Sequence, residues 1–449
     1  MAANSDNGFR RRWAVWSEAI ASRLWPIPMA AVIAGVVLGI AIPELDRAVD
    51  ESLPENVTAV LFSGGTEAAR AVLSAIAGSL ITATSLTFSL TVVALQLASS
   101  QASPRLLRMF ASDRMVHATL ALFLGTFAYS LAVLRTVSDA DGEPFVPRMG
   151  VTIASMLTLA SVIMLTFFLA HLARQLRVET MLRDVHEETQ RTIRLAAETP
   201  HTAADRVPDA PAVGTRSVLA SRSGFVTGVD RNAILEVAAE HDLVVRELRT
   251  VGSSVIEGRP MLEWWAREPR TLLGPDTLRQ VDDRLGGAVR IGYERTPTQD
   301  VGFGLRQLVD IAVRALSPGV NDPTTAVHAL SHISAVLAEL DRMPPEPPAL
   351  ADEHGMPRLV QSQHEFVDLL ELAVEQPRRY GASDPDVAAR LFQMLEELAE
   401  CVRQPERRSA IRSQLDRLEA SVADGGYDAE ERERFARLGR DVRTRLTSN

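Results

Sequence analysis

Apolar residues are not spread evenly along this chain. Four runs, at 24–42, 71–97, 115–137 and 151–172, approach or exceed the roughly 20 apolar residues a helix needs to cross the hydrocarbon core of a bilayer. Past residue 173 the pattern changes to short alternating stretches and helical repeats in which apolar and charged positions interleave. The predicted fold is mainly α, with an N-terminal segment (1–23) and a four-helix transmembrane domain (24–173). A cytoplasmic helix and linker (174–215), a small α+β module (216–300) and a helical C-terminal region (301–449) follow.

Arginine placement orients the spans, because basic residues gather on the cytoplasmic side. Arg10, Arg11, Arg12 and Arg23 precede the first run, Arg105, Arg108 and Arg114 separate the second from the third, and Arg174, Arg177 and Arg183 follow the fourth. The other two loops are acidic, with Glu44, Asp46 and Asp50 in one and Asp139, Asp141 and Glu143 in the other. This pattern predicts a multi-pass protein of the bacterial inner membrane with both termini cytoplasmic. The first run ends in Pro43-Glu44-Leu45 without a small-residue cleavage site, so it reads as a span rather than a cleaved leader.

The second run is unusually rich in hydroxyls. At about 100° per residue, Ser74, Gly78, Thr82, Ser85, Ser89, Gln96 and Ser100 fall in one sector about 80° wide, flanked by Val92 and Val93. Thr84, Thr87 and Thr91 form a shorter stripe on another side. Small hydroxylated residues let helices approach closely, so the stripe fits packing within the bundle. It also fits a pore lining in a homo-oligomer, with a valine constriction, or a substrate cavity within one subunit. Pore-lining candidates are therefore Ser74, Gly78, Thr82, Ser85, Ser89, Val92 and Gln96. In the loop that follows, Ser103 can cap a helix starting at Pro104, which makes Ser103, Arg105 and Arg108 candidates for the inner mouth. His117 and Arg135 lie near the ends of the third run, where snorkelling to the interface is expected.

Beyond the linker, 223–229 reads as a strand and Asp230 as the cap of a helix over 231–241; 243–251 and 254–263 read as extended, with turns at Gly252 and Gly258. A further strand is expected over 288–295. The module suggests a compact barrel-like scaffold or a regulatory module. A helix over 302–316 carries Asp310 and Arg314 four apart, on one face where they can pair. Ser317-Pro318-Gly319 ends it, and Asn321-Asp322-Pro323 turns into the next helix. This segment reads either as a stabilising helix–turn–helix or as a cytosolic ligand or cation site built from Asp310, Arg314, Asn321 and Asp322, with Asp300 nearby. His328 and His332 stand four apart, a spacing open to a shared metal, but a solvated or interface pair is the reading taken.

Composition removes several classes of activity. All 47 basic residues are arginine, so there is no lysine for a phosphate-binding loop, a pyridoxal Schiff base or a swinging-arm carrier. The formal net charge of -10 argues against nucleic acid as a partner, and the single cysteine, Cys401, excludes an internal disulfide.

Two stretches carry a family resemblance. Ser85-Leu86-Thr87-Phe88-Ser89-Leu90-Thr91-Val92-Val93-Ala94-Leu95-Gln96 through Pro104-Arg105 is one, and Leu308-Val309-Asp310-Ile311-Ala312-Val313-Arg314-Ala315-Leu316-Ser317-Pro318-Gly319-Val320-Asn321-Asp322-Pro323 is the other. Both resemble the signature of a bacterial family of predicted membrane proteins, domain of unknown function 2254. The likeness runs from the first span to about residue 400 and implies a polytopic membrane protein, with no activity attached. The functional expectation is a homo-oligomeric, channel-like pore in the lipid bilayer with a cytoplasmic regulatory or assembly region. The alternative is a non-conducting sensor or scaffold for a cytosolic ligand or partner. No enzyme activity, cofactor or metal is expected.

Overall fold

The structure is a computed structural model. It describes residues 25–49, 61–101, 113–138, 145–197, 202–212, 214–267, 273–344 and 347–448. The chain divides into two compact units, Met1–Thr180 and Met181–Asn449.

Four long helices make the first unit: α1 (Pro26–Val49), α2 (Thr66–Gln101), α3 (Arg114–Thr136) and α4 (Arg148–Gln175). All four are long and apolar enough to cross a membrane. α1 continues through Pro43 to Val49, past the end expected at residue 42. Proline removes one backbone donor but does not end a helix whose neighbours hold it in place. α3 is the central helix: 56% of its apolar window is buried within the unit, against 17–22% of the others.

What brings α1 against α3 is the Gly35-Val36-Val37-Leu38-Gly39 sequence, a small-xxx-small spacing that lets two backbones touch. A Cβ at Gly35 would run into the Gly125 carbonyl, and one at Gly39 would sit 2.6 Å from the Ala132 Cβ and 2.9 Å from the Tyr129 carbonyl oxygen. α2 packs Leu73, Ile76 and Leu80 into a core with Phe123, Tyr129, Val133 and Val151.

Carboxylates pin both ends of this bundle. Asp46, 2% exposed on α1, accepts from the Met149 amide at 3.0 Å and so serves the N-terminus of α4. The Tyr129 hydroxyl donates to the Gly150 carbonyl at 3.1 Å beside it. At the other end Asp113 caps α3 through the Met115 amide at 2.7 Å, and its second oxygen lies 2.6 Å from His171 Nε2 on α4.

The second unit is α+β. Helix α5 (Val178–Ala197) leads into it. The elements β1 (Thr202–Ala203), β2 (Arg216–Leu219), β3 (Gly224–Val229), α6 (Arg231–Glu240), β4 (Leu243–Glu247), β5 (Ser254–Val255) and β6 (Pro260–Ala266) come next. They are followed by α7 (Pro275–Ala288), β7 (Val289–Gly292), α8 (Val301–Ala315), α9 (Pro323–Arg342), β8 (Ala349–Ala351) and β9 (Pro357–Val360). Four helices complete the unit: α10 (Phe366–Gly381), α11 (Pro385–Cys401), α12 (Pro405–Ala423) and α13 (Ala429–Ser448).

One sheet has the order β1-β8-β9-β4-β6-β2, parallel only between β4 and β9; the other is β5-β3-β7, all antiparallel. Neither forms the closed barrel suggested by the sequence: both have open edges among the described residues. Asp230 caps α6 through the Ala233 amide at 3.3 Å, and Gly252 and Gly258 make their turns at φ +90° and +74°. The core between sheets and helices holds Val226, Ile234, Val245, Leu262, Trp264 and Leu285.

Two features differ from the expected pattern. Residues 349–360, read as part of a helical region, return to the large sheet as β8 and β9, where Leu350 and Leu359 pair and are buried. Helix α7 lies in a stretch to which no element was assigned.

Candidate functional site

Helix α2 presents two polar stripes, and the structure separates them. Ser74, Gly78, Thr82, Ser85, Ser89, Val92 and Gln96 are all exposed, on the side turned away from α1, α3 and α4. The other stripe faces the bundle: Thr87 and Thr91 are buried and Thr84 half-buried. Packing within the bundle is therefore made by the threonine stripe, not by the longer one. Gly78 shows the same thing sterically. A Cβ there would meet nothing within 4 Å, so no neighbour among the described residues requires a glycine.

Local hydrogen bonds account for some of these hydroxyls. Thr82 Oγ1 donates to the Gly78 carbonyl at 2.9 Å, and Thr84 and Thr91 donate one turn back to Leu80 and Thr87 at 2.7 and 2.8 Å. Thr87 Oγ1, fully buried, has no partner. On the outer stripe, Ser74, Ser85, Ser89 and Gln96 make no hydrogen bond to another described helix. The inner-mouth candidates Ser103, Arg105 and Arg108 lie outside the described residues, as does the Ser100 side chain.

His117 departs from its expected place at the membrane interface. It is 2% exposed on the bundle side of α3, and its Nε2 has no hydrogen-bond partner among the described residues. Val116 and Leu120, its neighbours in sequence, pack on Phe168, which draws this turn of α3 inward. Arg135 is exposed, as a snorkelling residue should be.

In the second unit, two of the acids read as ligand candidates, Asp300 and Asp322, are spent on helix termini. Asp322 caps α9, accepting from Thr325 Oγ1 at 2.6 Å and the Thr325 amide at 3.1 Å, and these bonds hold its carboxyl below the ordinary carboxylate range. Asn321 before it adopts a left-handed φ of +49°. Asp300, 1% exposed, caps α8 through the Phe303 amide at 2.9 Å and takes a two-pronged ion pair from Arg295 at 2.9 Å on each arm. Asp310 is half-buried, Arg314 is exposed, and each is already engaged in a polar interaction. The turn 317–322 is closed by the Asn321 amide on the Ser317 carbonyl and the Asp322 amide on the Ala315 carbonyl. This is the geometry of a rigid helix–turn–helix. Among the described residues, no group of three or more His, Cys, Asp or Glu could hold a metal ion.

Two groupings escaped the sequence reading. One is the Gly35/Gly39 contact with α3; the glycine spacing was its only signal. The other joins His332 to His186, on α5, with ring centroids 5.0 Å apart and planes at 62°. His328, one turn earlier on α9, is exposed.

Comparison with known proteins agrees with this layout. The model of a family described as "Predicted membrane protein (DUF2254)" matches residues 21–397. An uncharacterized protein of Mycobacterium bovis, Mb1321c, is 36% identical over 359 residues, which cover 79% of this chain and 68% of that one. An uncharacterized protein of Mycobacterium tuberculosis, Rv1290c, is similar to the same extent. No solved structure matches. With four membrane-length helices and a family match over most of its length, the chain belongs to the DUF2254 family of predicted membrane proteins.

Proposed function

We propose that this protein assembles with copies of itself in the bacterial inner membrane, with both termini cytoplasmic, and that α2 from each copy lines a narrow, channel-like pore. The observation that carries the reading is the outward stripe of α2. Seven polar, small or constricting positions on one face are left uncovered by the described helices. Against lipid tails such a face gains little. Against a second copy it allows close approach and interhelical hydrogen bonds of about 0.6 kcal/mol each. Around a shared axis the same hydroxyls would solvate a permeating species, with Val92 as the constriction. On this reading the second unit regulates or assembles the pore, and the protein has no enzyme activity.

The test has two arms. Light scattering in detergent and in nanodiscs should give a mass that is a multiple of the 48.9 kDa chain; a strict monomer in both overturns the assembly. Protein in liposomes should conduct, and Ser85→Leu or Ser89→Leu should change the conductance severalfold. Wild-type currents in both variants would remove α2 from the pore. An assembly that does not conduct points instead to the scaffold or sensor reading.

A further inference from the structure

Two residues separate the end of α4 from the start of helix α5, so α5 is the first element the chain builds beyond the fourth span. Within the second unit its apolar face is buried at Leu182, Val185 and Ile193, and polar and close contacts hold it beside them. Gly304 of α8 lies so close that a Cβ there would collide with the Thr189 side chain, Thr192 Oγ1 donates to the Pro297 carbonyl at 3.0 Å, and Arg194 reaches Glu339 of α9 at 3.5 Å. The contact between α5 and α9 at His186 is made by two imidazoles edge to face, 5.0 Å apart. His186 Nδ1 is buried with no hydrogen-bond partner among the described residues, and the third imidazole, His328, lies one turn away on α9.

We propose that His186, His328 and His332 form a proton-operated latch, which holds α5 against α9 when neutral and releases it when the cluster takes up protons. Two imidazoles packed edge to face tolerate each other while neutral and repel once both are charged. Burial, then His186 and then His328, push the His332 pKa below the ordinary imidazole value. The folded state therefore binds fewer protons than the unfolded one just below the ordinary imidazole pKa. The stability contributed by neutral His332 is complete above that value and is lost as the pH falls below it, down to the depressed folded pKa.

The charged groups of the surrounding elements do not offset this. On α5, Asp184 and Glu187 lie beside Arg183, and burial raises the Glu188 carboxyl, which weakens its hold on a negative charge. On α8, Arg306 is directed at Gln376, and Asp310 and Arg314 are engaged. On α9, Asp322 is spent on its cap and Glu339 faces Arg194; on α11, Glu397 is held by Arg390.

Hydrogen exchange of the full-length protein at pH 7.5 and 5.5, corrected for the intrinsic rate, tests the latch. Amides of α5 should exchange at least about fivefold faster at the lower pH relative to those of α11. The His186→Gln/His332→Gln double variant should lose this response, while Glu188→Gln should keep it. Unchanged α5 exchange in the wild type overturns the proposal, as does a double variant that still responds or a Glu188→Gln protein that does not. If the double variant fails to fold, imidazole C2 exchange in the wild type decides. A His332 midpoint below the ordinary value supports the latch, and one at or above it overturns it.

Discussion

Gly35→Leu is expected to prevent the first unit from folding, while the equally apolar Gly78→Leu leaves it folded. At Gly35 even the first added carbon runs into the backbone carbonyl of Gly125, and backbone cannot swing aside as a side chain can. Gly125 is tight from its own side, where a Cβ would sit 3.2 Å from the Ala31 carbonyl oxygen. Overpacking a well-filled core costs about 1–3 kcal/mol and more where backbone must move. A leucine here also breaks the contact that seats α1 on α3, so the expected loss is on the order of several kcal/mol, a large part of a typical stability. Unfolding in mixed micelles, followed by near-UV circular dichroism and proteolysis, checks it. Gly78→Leu meets open space, so it should unfold like the wild type and show its effect only in assembly. Equal stability of the two variants would refute the α1–α3 contact.

Asp300→Ala should produce the largest loss in the second unit. Its carboxylate sits at full side-chain burial, caps α8 and neutralises Arg295, so its removal abandons one helix terminus and leaves a guanidinium without its partner. Breaking a buried pair from one side costs about 3–5 kcal/mol, corresponding to a fall of roughly 10 °C in the melting of a unit this size. Gly252→Ala should act in the same direction. Its φ of +90° disfavours any side chain, and a Cβ would collide with the Asp300 carboxylate and approach Arg295 Nη2 to 2.8 Å. Hydrogen exchange across α8 reads both, and wild-type protection in Asp300→Ala would show that the pair carries no weight.

These residues show where the sequence was legible. Membrane-spanning runs declare themselves through length and hydropathy, and caps such as Asp230 and Asp322 declare themselves through residue type at a helix start, because both signals are local. The strands β8 and β9 gave no such signal. Ala349-Leu350-Ala351 is too short to show alternation, and it joins the sheet through β9, whose other partner, β4, lies about a hundred residues earlier. The two stripes of α2 were visible, but periodicity cannot say which face a neighbour covers. Asp300 was noticed for its charge and not for its cap, because its ion-pair partner Arg295 lies before the helix begins. His186 stood apart from His332 in sequence, and only folding brings the rings together.

The Asp46–Met149 contact has a consequence for how the membrane unit is made. The acceptor that satisfies the start of the fourth span belongs to the first span, more than a hundred residues earlier. A nascent chain inserting its helices in order can seat the fourth only if the first has stayed beside the third. A chain deprived of the first span would leave the Met149 amide without this acceptor. The first of these four spans is thus also the one that completes the fourth.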